Sequence, residues 1–296
     1  MLAAIHSQIA PIVSFPLSDS KTISDMDDKS RFAELLQQLG LPGPRFTLLR
    51  SRADADHHSL GEDVVVKPLL SEGGKGVRRC RMTTELKAAL AGTPTFPAQP
   101  LLLQEYIPGE DIDLTVLADH GRITHWTIHQ RSGVGPGGEN GSLIFVDNDE
   151  VLRLGWKLIA ATGFHGLAHI DMRKDYRDGT IKFIEVNPRV YGSIHFAAYA
   201  GVNFVALGLE LAADSRMLTE TRQICGAVHP PSTLLRLLFC NKEKLQLFNL
   251  ATFRALRQAV CDPLPRIASV LQRCGNQMPR NPWKRHGRPQ QVAQRL

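Results

Sequence analysis

The chain has 296 residues, 43% of them hydrophobic, and a formal net charge of +6; this length and composition suit one large or two modest globular units and exclude a wholly disordered chain. Its longest apolar runs, such as Leu101 to Leu103 and Ile112 to Ala118, fall far short of the roughly 20 residues a membrane-spanning helix needs, so no transmembrane segment is expected. Met1 to Phe15 carry no early Lys or Arg cluster and no convincing cleavage site, which argues against a signal peptide and for the cytoplasm.

In chain order, residues 1–26 read as an irregular lead-in rich in Ser, Pro and Asp. A helix follows, capped by Asp27 or Asp28, with Phe32, Leu35, Leu36 and Leu39 on one face and Gly40 then Pro42 as its stop. Val64–Lys67 and Val77–Arg81 read as strands around a glycine turn, and Glu85–Leu90 as a short helix. Leu101–Tyr106, Ile112–Ala118 and Ile123–Gln130 read as a second run of strands, the last two joined by the turn at Asp119–Arg122. Gly133–Gly141 reads as a mobile loop and Glu150–Thr162 as a helix stopped by Gly163. Leu167–Met172 and Thr180–Val186 form a predicted hairpin, and Phe204–Ala213 a closing helix. The tail offers two amphipathic candidates, 232–239 and 248–260, before a polar end.

Charge is uneven along the chain. Residues 216–296 hold 14 Lys or Arg against 3 Asp or Glu, a balance of +11 that leaves −5 for the remainder. Such a tail is either attracted to an acidic surface or is a solvated cap on the body. The five cysteines, Cys80, Cys225, Cys240, Cys261 and Cys274, form no C-x-x-C pair, so free thiols are expected rather than a disulfide framework or a zinc site.

Two constellations carry chemistry. In the first, Val64-Val65-Val66-Lys67 is an apolar strand that delivers a lysine, followed by Ser71-Glu72-Gly73-Gly74-Lys75-Gly76. Glycines let backbone N–H groups approach anionic oxygens while a lysine supplies counter-charge; taken alone, the stretch is equally an ordinary hairpin. In the second, Asp171 lies on one arm of the predicted hairpin, and Glu185 and Asn187 lie on the other. Residues two apart on a strand share a face, and two carboxylates with an amide oxygen suit a hard dication such as magnesium. Arg189 follows by the same step and would stabilise charge on a transferring phosphoryl group. Alone, this pattern reads equally as a half-exposed polar strand.

With both constellations in one ordered chain, the sequence resembles the ATP-grasp superfamily, and within it the carbamoyl-phosphate-synthase-like and biotin-carboxylase-like carboligases. The resemblance runs from Asp28-Lys29 to about Ala213 and is most specific in Phe183-Ile184-Glu185-Val186-Asn187-Pro188-Arg189, Tyr191-Gly192-Ser193 and Ala200-Gly201-Val202. It implies an α+β fold in which two α/β subdomains clasp a nucleotide, with a helical tail. The implied parts are a lead-in over 1–26 left from a preceding domain, a small subdomain over 27–100, a large subdomain with the metal site over 101–215, and a basic tail over 216–296.

The same resemblance implies roles residue by residue. Lys29 and Lys67 would face the phosphates, with Gly73, Gly74 and Gly76 folding over them. Gln104, Glu105, Tyr106 and Ile107 would form the linker whose backbone binds adenine, and Glu110 or Asp111 would take the ribose hydroxyls. Asp171, Glu185 and Asn187 would hold Mg2+ or Mn2+, and Arg131 would join Arg189 and Lys67 as the cations of the transfer step. His129 and His169 read as structural.

The implied activity is ATP-dependent activation of a carboxylate as an acyl phosphate for attack by an amine or similar nucleophile. Small-molecule carboxylates and amines are the implied partners, together with a protein supplying the N-terminal domain that such enzymes usually carry; nucleic acid is not an expected partner. The alternative is an ATP-binding module without turnover, its basic tail engaging an acidic partner.

Overall fold

The computed structural model describes residues 15–71, 73–132, 142–213, 221–229, 253, 254 and 257. Two antiparallel sheets organise them. The smaller contains β1 (Phe46–Leu49), β2 (Val64–Pro68), β3 (Arg78–Cys80) and β4 (Leu101–Glu105) in the order β1-β4-β2-β3. Alternation explains its core: Val64, Val66, Leu101 and Leu103 point to one face and are buried with Leu86, Ala89 and Leu90. The last three belong to α4 (Thr83–Ala91), while Ala55 of α3 (Asp54–His57) joins the same cluster. The opposite face carries Lys67 and Gln104, both buried.

The larger sheet contains β5 (Gly109–Asp119), β6 (Arg122–Ser132), β7 (Ser142–Phe145), β8 (Gly166–Asp175), β9 (Ile181–Asn187) and β10 (Gly226–Val228), in the order β10-β7-β6-β5-β8-β9. Ile112, Leu114, Val116, Ala168, Ile170 and Met172 line one face and bury against Val151, Leu154, Leu158 and Ile159 of α5 (Asp149–Thr162). Asn148 caps that helix by accepting from the Val151 N–H, and Gly163 ends it at φ 61°, a left-handed value that glycine adopts without strain. The other face is covered near one end by α6 (Ile194–Tyr199) and α7 (Phe204–Ala212), through Leu117, Leu167, Ala197, Phe204 and Leu207.

Several expectations shift. The lead-in contains a helix, α1 (Ser20–Asp27), capped by Asp19 and burying only Met26, too little apolar surface to register as periodic. The next helix, α2 (Lys29–Gln38), is capped by Asp28, which accepts from the N–H groups of Ser30 and Arg31. Its Phe32 and Leu36 pack into the large-sheet core rather than against the small sheet, and Leu39, expected on the apolar face, is exposed. The strand Leu101–Glu105, expected to begin the large unit, pairs with β1 and β2 in the small one because Leu101 and Leu103 complete that core. Strands β1, β7 and β10 and helices α3 and α6 are short and escape periodicity altogether.

The expected loop at 133–141 and the helix at 232–239 lie outside the described residues. Within 248–260, Phe253, Arg254 and Arg257 are helical, and Arg254 donates to the Tyr199 carbonyl at 3.5 Å. Cys80 and Cys225 are free thiols, and the other three cysteines lie outside the described residues. Among the described residues no helix is long and apolar enough to cross a membrane.

Candidate functional site

The face of the large sheet opposite α5 carries polar rows that run across its strands. Register places Phe145, His129, Asp113, Asp171 and Glu185 side by side on β7, β6, β5, β8 and β9. The adjacent row is Thr127, Thr115, His169 and Asn187. A bulge between β8 and β9 makes this possible: Asp171 pairs with Glu185 but Met172 pairs with Phe183, so Ile184 is the extra residue. Without that bulge Phe183 and Glu185 would share a face. With it, Phe183 enters the core at 0% exposure while Glu185 and Asn187 turn to the polar side.

Both lysines reach this face. Lys29, at the start of α2, is buried and places Nζ 3.4 Å from Glu185 Oε2. The same Nζ donates to the Ser71 carbonyl at 3.2 Å, which ties the glycine turn to the site. Gly73, Gly74 and Gly76 take φ of 58°, 71° and 77°, so a side chain at any of the three would be strained. Lys67 comes from β2 of the small sheet. Burial, aided by the Lys29 charge and opposed by those of Glu185 and Asp171, brings its pKa down to about 8.

The carboxylates respond to one another. Burial and the Asp171 charge raise the Glu185 carboxyl. Burial acts upward on Asp171 too, but its hydrogen bond and charge interaction with His169 outweigh that and hold it low. Asp113 is pushed up to about 7, by burial first and then by Asp171. Asn187 Nδ2 donates to Asp171 Oδ2 at 3.2 Å, and Arg189 Nη2 donates to Asn187 Oδ1 at 3.0 Å. The expected trio Asp171, Glu185 and Asn187 is thus contiguous, with Arg189 beside it. Arg131 shares the face of β6 with His129, is exposed, and its charge is felt at Asp113, His129, His169 and Asp171.

The remaining expected residues lie at the junction of the two sheets. Gln104 is buried and its Oε1 has no hydrogen-bond partner. Glu105 is engaged by Arg45 at 3.0 Å and lies 3.6 Å from Lys182, so its side chain belongs to an ionic cluster. The N–H of Glu105 donates to the Arg45 carbonyl and that of Tyr106 to the Asp63 carbonyl, both at 2.9 Å, so neither is open to a base. Arg79 lies over the Tyr106 ring, 3.4 Å from its centroid. The Ile107 carbonyl accepts from Arg173 Nε at 2.7 Å. Of the two ribose candidates, Asp111 falls on the same face as Asp113 and is held by Arg173 Nη1, whereas Glu110 falls on the other face and accepts from the Tyr176 hydroxyl.

Asp113 and Thr115 were not anticipated, and Tyr191 stood in the motif that carries the resemblance without a role of its own. The signal was present: Asp111, Asp113 and Thr115 alternate with apolar residues inside a strand that reads as core. Thr115 Oγ1 lies 3.0 Å from His169 Nδ1 and donates to the Tyr191 hydroxyl at 2.9 Å, and the Tyr191 ring stacks on His169 at 4.1 Å. His129 and His169, expected to be structural, stand in the polar rows themselves.

Residues 97–228 match the family described as ATP-grasp in the biosynthetic pathway with Ter operon. The carbamoyl phosphate synthase large chain of Caldanaerobacter subterraneus subsp. tengcongensis is 25% identical over 213 residues, 67% of this chain and 19% of that protein. Its counterpart in Deinococcus radiodurans is 27% identical over 209 residues, 64% of this chain and again 19% of the relative. The chain therefore spans about a fifth of the length of these relatives. Among solved structures, L-amino acid ligase from Bacillus licheniformis aligns with TM-score 0.59 at 26% identity, covering 73% of this chain and 56% of that one. Biotin carboxylase from Campylobacter jejuni aligns with TM-score 0.64 at 18% identity, covering 76% and 55%, and so speaks for the fold alone. Sequence and fold agree: residues 97–228 match an ATP-grasp family, and the chain is similar to part of the carbamoyl phosphate synthase large chain.

Proposed function

We propose that the chain is an ATP-dependent ligase that activates a carboxylate as an acyl phosphate for attack by an amine or similar nucleophile. The observation that carries this reading is the meeting of Lys29, Lys67, Asp171 and Glu185 between the two sheets, with Lys29 3.4 Å from Glu185. The charges of Lys29 and Lys67 both act on the Glu185 carboxylate beside Asp171. A nucleotide triphosphate with a dication would separate them, phosphates taking the lysines and the dication taking the oxygens.

The donor set fits magnesium or manganese: two carboxylates and an amide oxygen on adjacent strands are hard ligands that leave room for phosphate oxygens. Asp171, Glu185 and Asn187 would hold the ion, which supplies charge neutralisation on the phosphates when bound. Lys67 and Lys29 would orient the phosphate chain, and Arg189 and Arg131 would stabilise charge on the transferring group. Transfer joins the γ-phosphorus to a carboxylate oxygen and releases ADP. The nucleophile then adds to the acyl carbon, phosphate leaves with the bonding electrons, and the amine loses a proton. On this reading the cleft needs no Ser-His-Asp machinery, because phosphoryl transfer asks mainly for positioning and charge. Asp111 is the preferred ribose partner because it shares the face of the polar rows.

The likeness to an L-amino acid ligase makes amino acids the first substrates to try on both sides of the bond. The test is a screen for ADP and phosphate release across amino acids, bicarbonate and short peptides, with and without proteins encoded alongside. Release that requires both a carboxylate and a nucleophile supports a ligase. Tight nucleotide binding with no release in any combination favours the module without turnover.

A further inference from the structure

Behind the outer oxygen ligands the polar rows continue into a cluster that the nucleotide reading does not use. Asp113 and His129 are each 3% exposed and His169 is 6% exposed. One ligand atom from each lies within 4.8 Å of the other two. His129 Nε2 stands 3.5 Å from Asp113 Oδ2, and His169 Nε2 stands 3.2 Å from Asp171 Oδ1. We propose that Asp113, His129 and His169 form a second, buried metal site for a transition dication of the zinc type, with Asp171 linking it to the outer oxygen trio.

Two features support the assignment. First, ligand bonds of about 2.0 Å in a tetrahedral arrangement put donor atoms about 3.3 Å apart, and His129 Nε2 and Asp113 Oδ2 stand close to that separation. Second, His169 has the surroundings of a ligating imidazole: Nδ1 meets Thr115 Oγ1 at 3.0 Å, Thr115 meets Tyr191 at 2.9 Å, and Nε2 is left facing the carboxylates.

Chemistry selects the ion. Magnesium prefers an all-oxygen shell, whereas two imidazoles with one or two carboxylates suit zinc and its neighbours. The proposal does not depend on nucleotide binding, since Lys67 and Lys29 contribute nothing to this donor set.

Zinc binding to the full chain, measured by equilibrium dialysis against a competing chelator with magnesium in excess, tests it. One zinc per chain is expected, with affinity lowered at least ~10-fold in His129→Ala and in Asp113→Asn. Lys67→Ala is expected to keep the zinc while losing protection by magnesium and ATP, so failure of one site is distinguishable from failure of the other. Zinc displaced by magnesium, or bound equally by all variants, is adventitious and overturns the proposal. Should the His129 and Asp113 variants not fold, cobalt(II) in the wild-type chain decides. Intense tetrahedral d–d absorption supports the site, and its absence overturns it.

Discussion

Two charged clusters lie within the same fold and behave in opposite ways. At the junction of the sheets, Asp175 is 0% exposed and is held by Arg177 at 2.6 Å and Lys182 at 2.9 Å. Arg177, first through its hydrogen bonds, and then Lys182 hold the Asp175 carboxyl well below the ordinary carboxylate range. Glu105, with Arg45, Lys182 and Arg177, extends that cluster from the small sheet to the large one. In the cleft the charges are left unsettled: burial depresses Lys67 to about 8 and lifts Asp113 to about 7. The first cluster stabilises the chain by pairing, and the second is the one that the proposed nucleotide and metal would engage. Perturbed groups gathered in a cleft mark function, whereas paired and satisfied ones mark structure.

Substitutions sharpen that contrast, beginning with the largest expected effect on stability. Asp175→Asn leaves Arg177 and Lys182 without their buried partner and should cost about 3 kcal/mol in chemical denaturation, with nucleotide affinity unchanged. Lys67→Met should do the reverse, raising the stability of the ligand-free chain by about 2 kcal/mol because a buried charge is removed. A loss of stability in Lys67→Met would break the comparison. Asp111→Asn should weaken ATP about tenfold, roughly 1.4 kcal/mol, while Glu110→Gln should leave affinity alone, as measured by calorimetric titration.

The pH dependence separates the clusters by smaller amounts. Asp175 has a lowered native pKa, so its contribution is present above the unfolded carboxylate range and is lost as pH falls through the native value. Lys67 also has a lowered native pKa, but as a base. The unfolded chain then binds more protons between about 8 and 10.5, so Lys67's contribution to stability should rise by about 1 kcal/mol from pH 8 to 9. Over the same interval ATP affinity should fall as the lysine loses its charge. The Lys67→Met chain should show neither the rise in stability nor the fall in affinity.

Much of the architecture was legible because long elements announce themselves. The strand that delivers Lys67, the helix stopped at Gly163, the turn at Asp119–Arg122 and the hairpin bearing Asp171 and Glu185 all lie where alternation, glycine and capping residues indicate. What alternation could not reveal is the bulge at Ile184, since one inserted residue reverses which side chains share a face. Helix α1 was hidden because it buries a single methionine, and α2 was assigned to the wrong neighbour because an apolar face does not name its partner. The outer candidate residues were reachable through a short motif on β9. Asp113 and Thr115 were hidden inside a run that reads as core, and they became visible only when register set them beside His129 and His169.

The central claim is that Lys67 from one sheet and Glu185 from the other serve a single bound nucleotide. Thermal unfolding with and without ATP and magnesium tests it most directly, because a ligand that binds only the folded chain raises its melting temperature. The account predicts a magnesium-dependent rise in the wild-type chain that is abolished in Lys67→Ala and in Glu185→Ala. Full protection retained in both variants would contradict it.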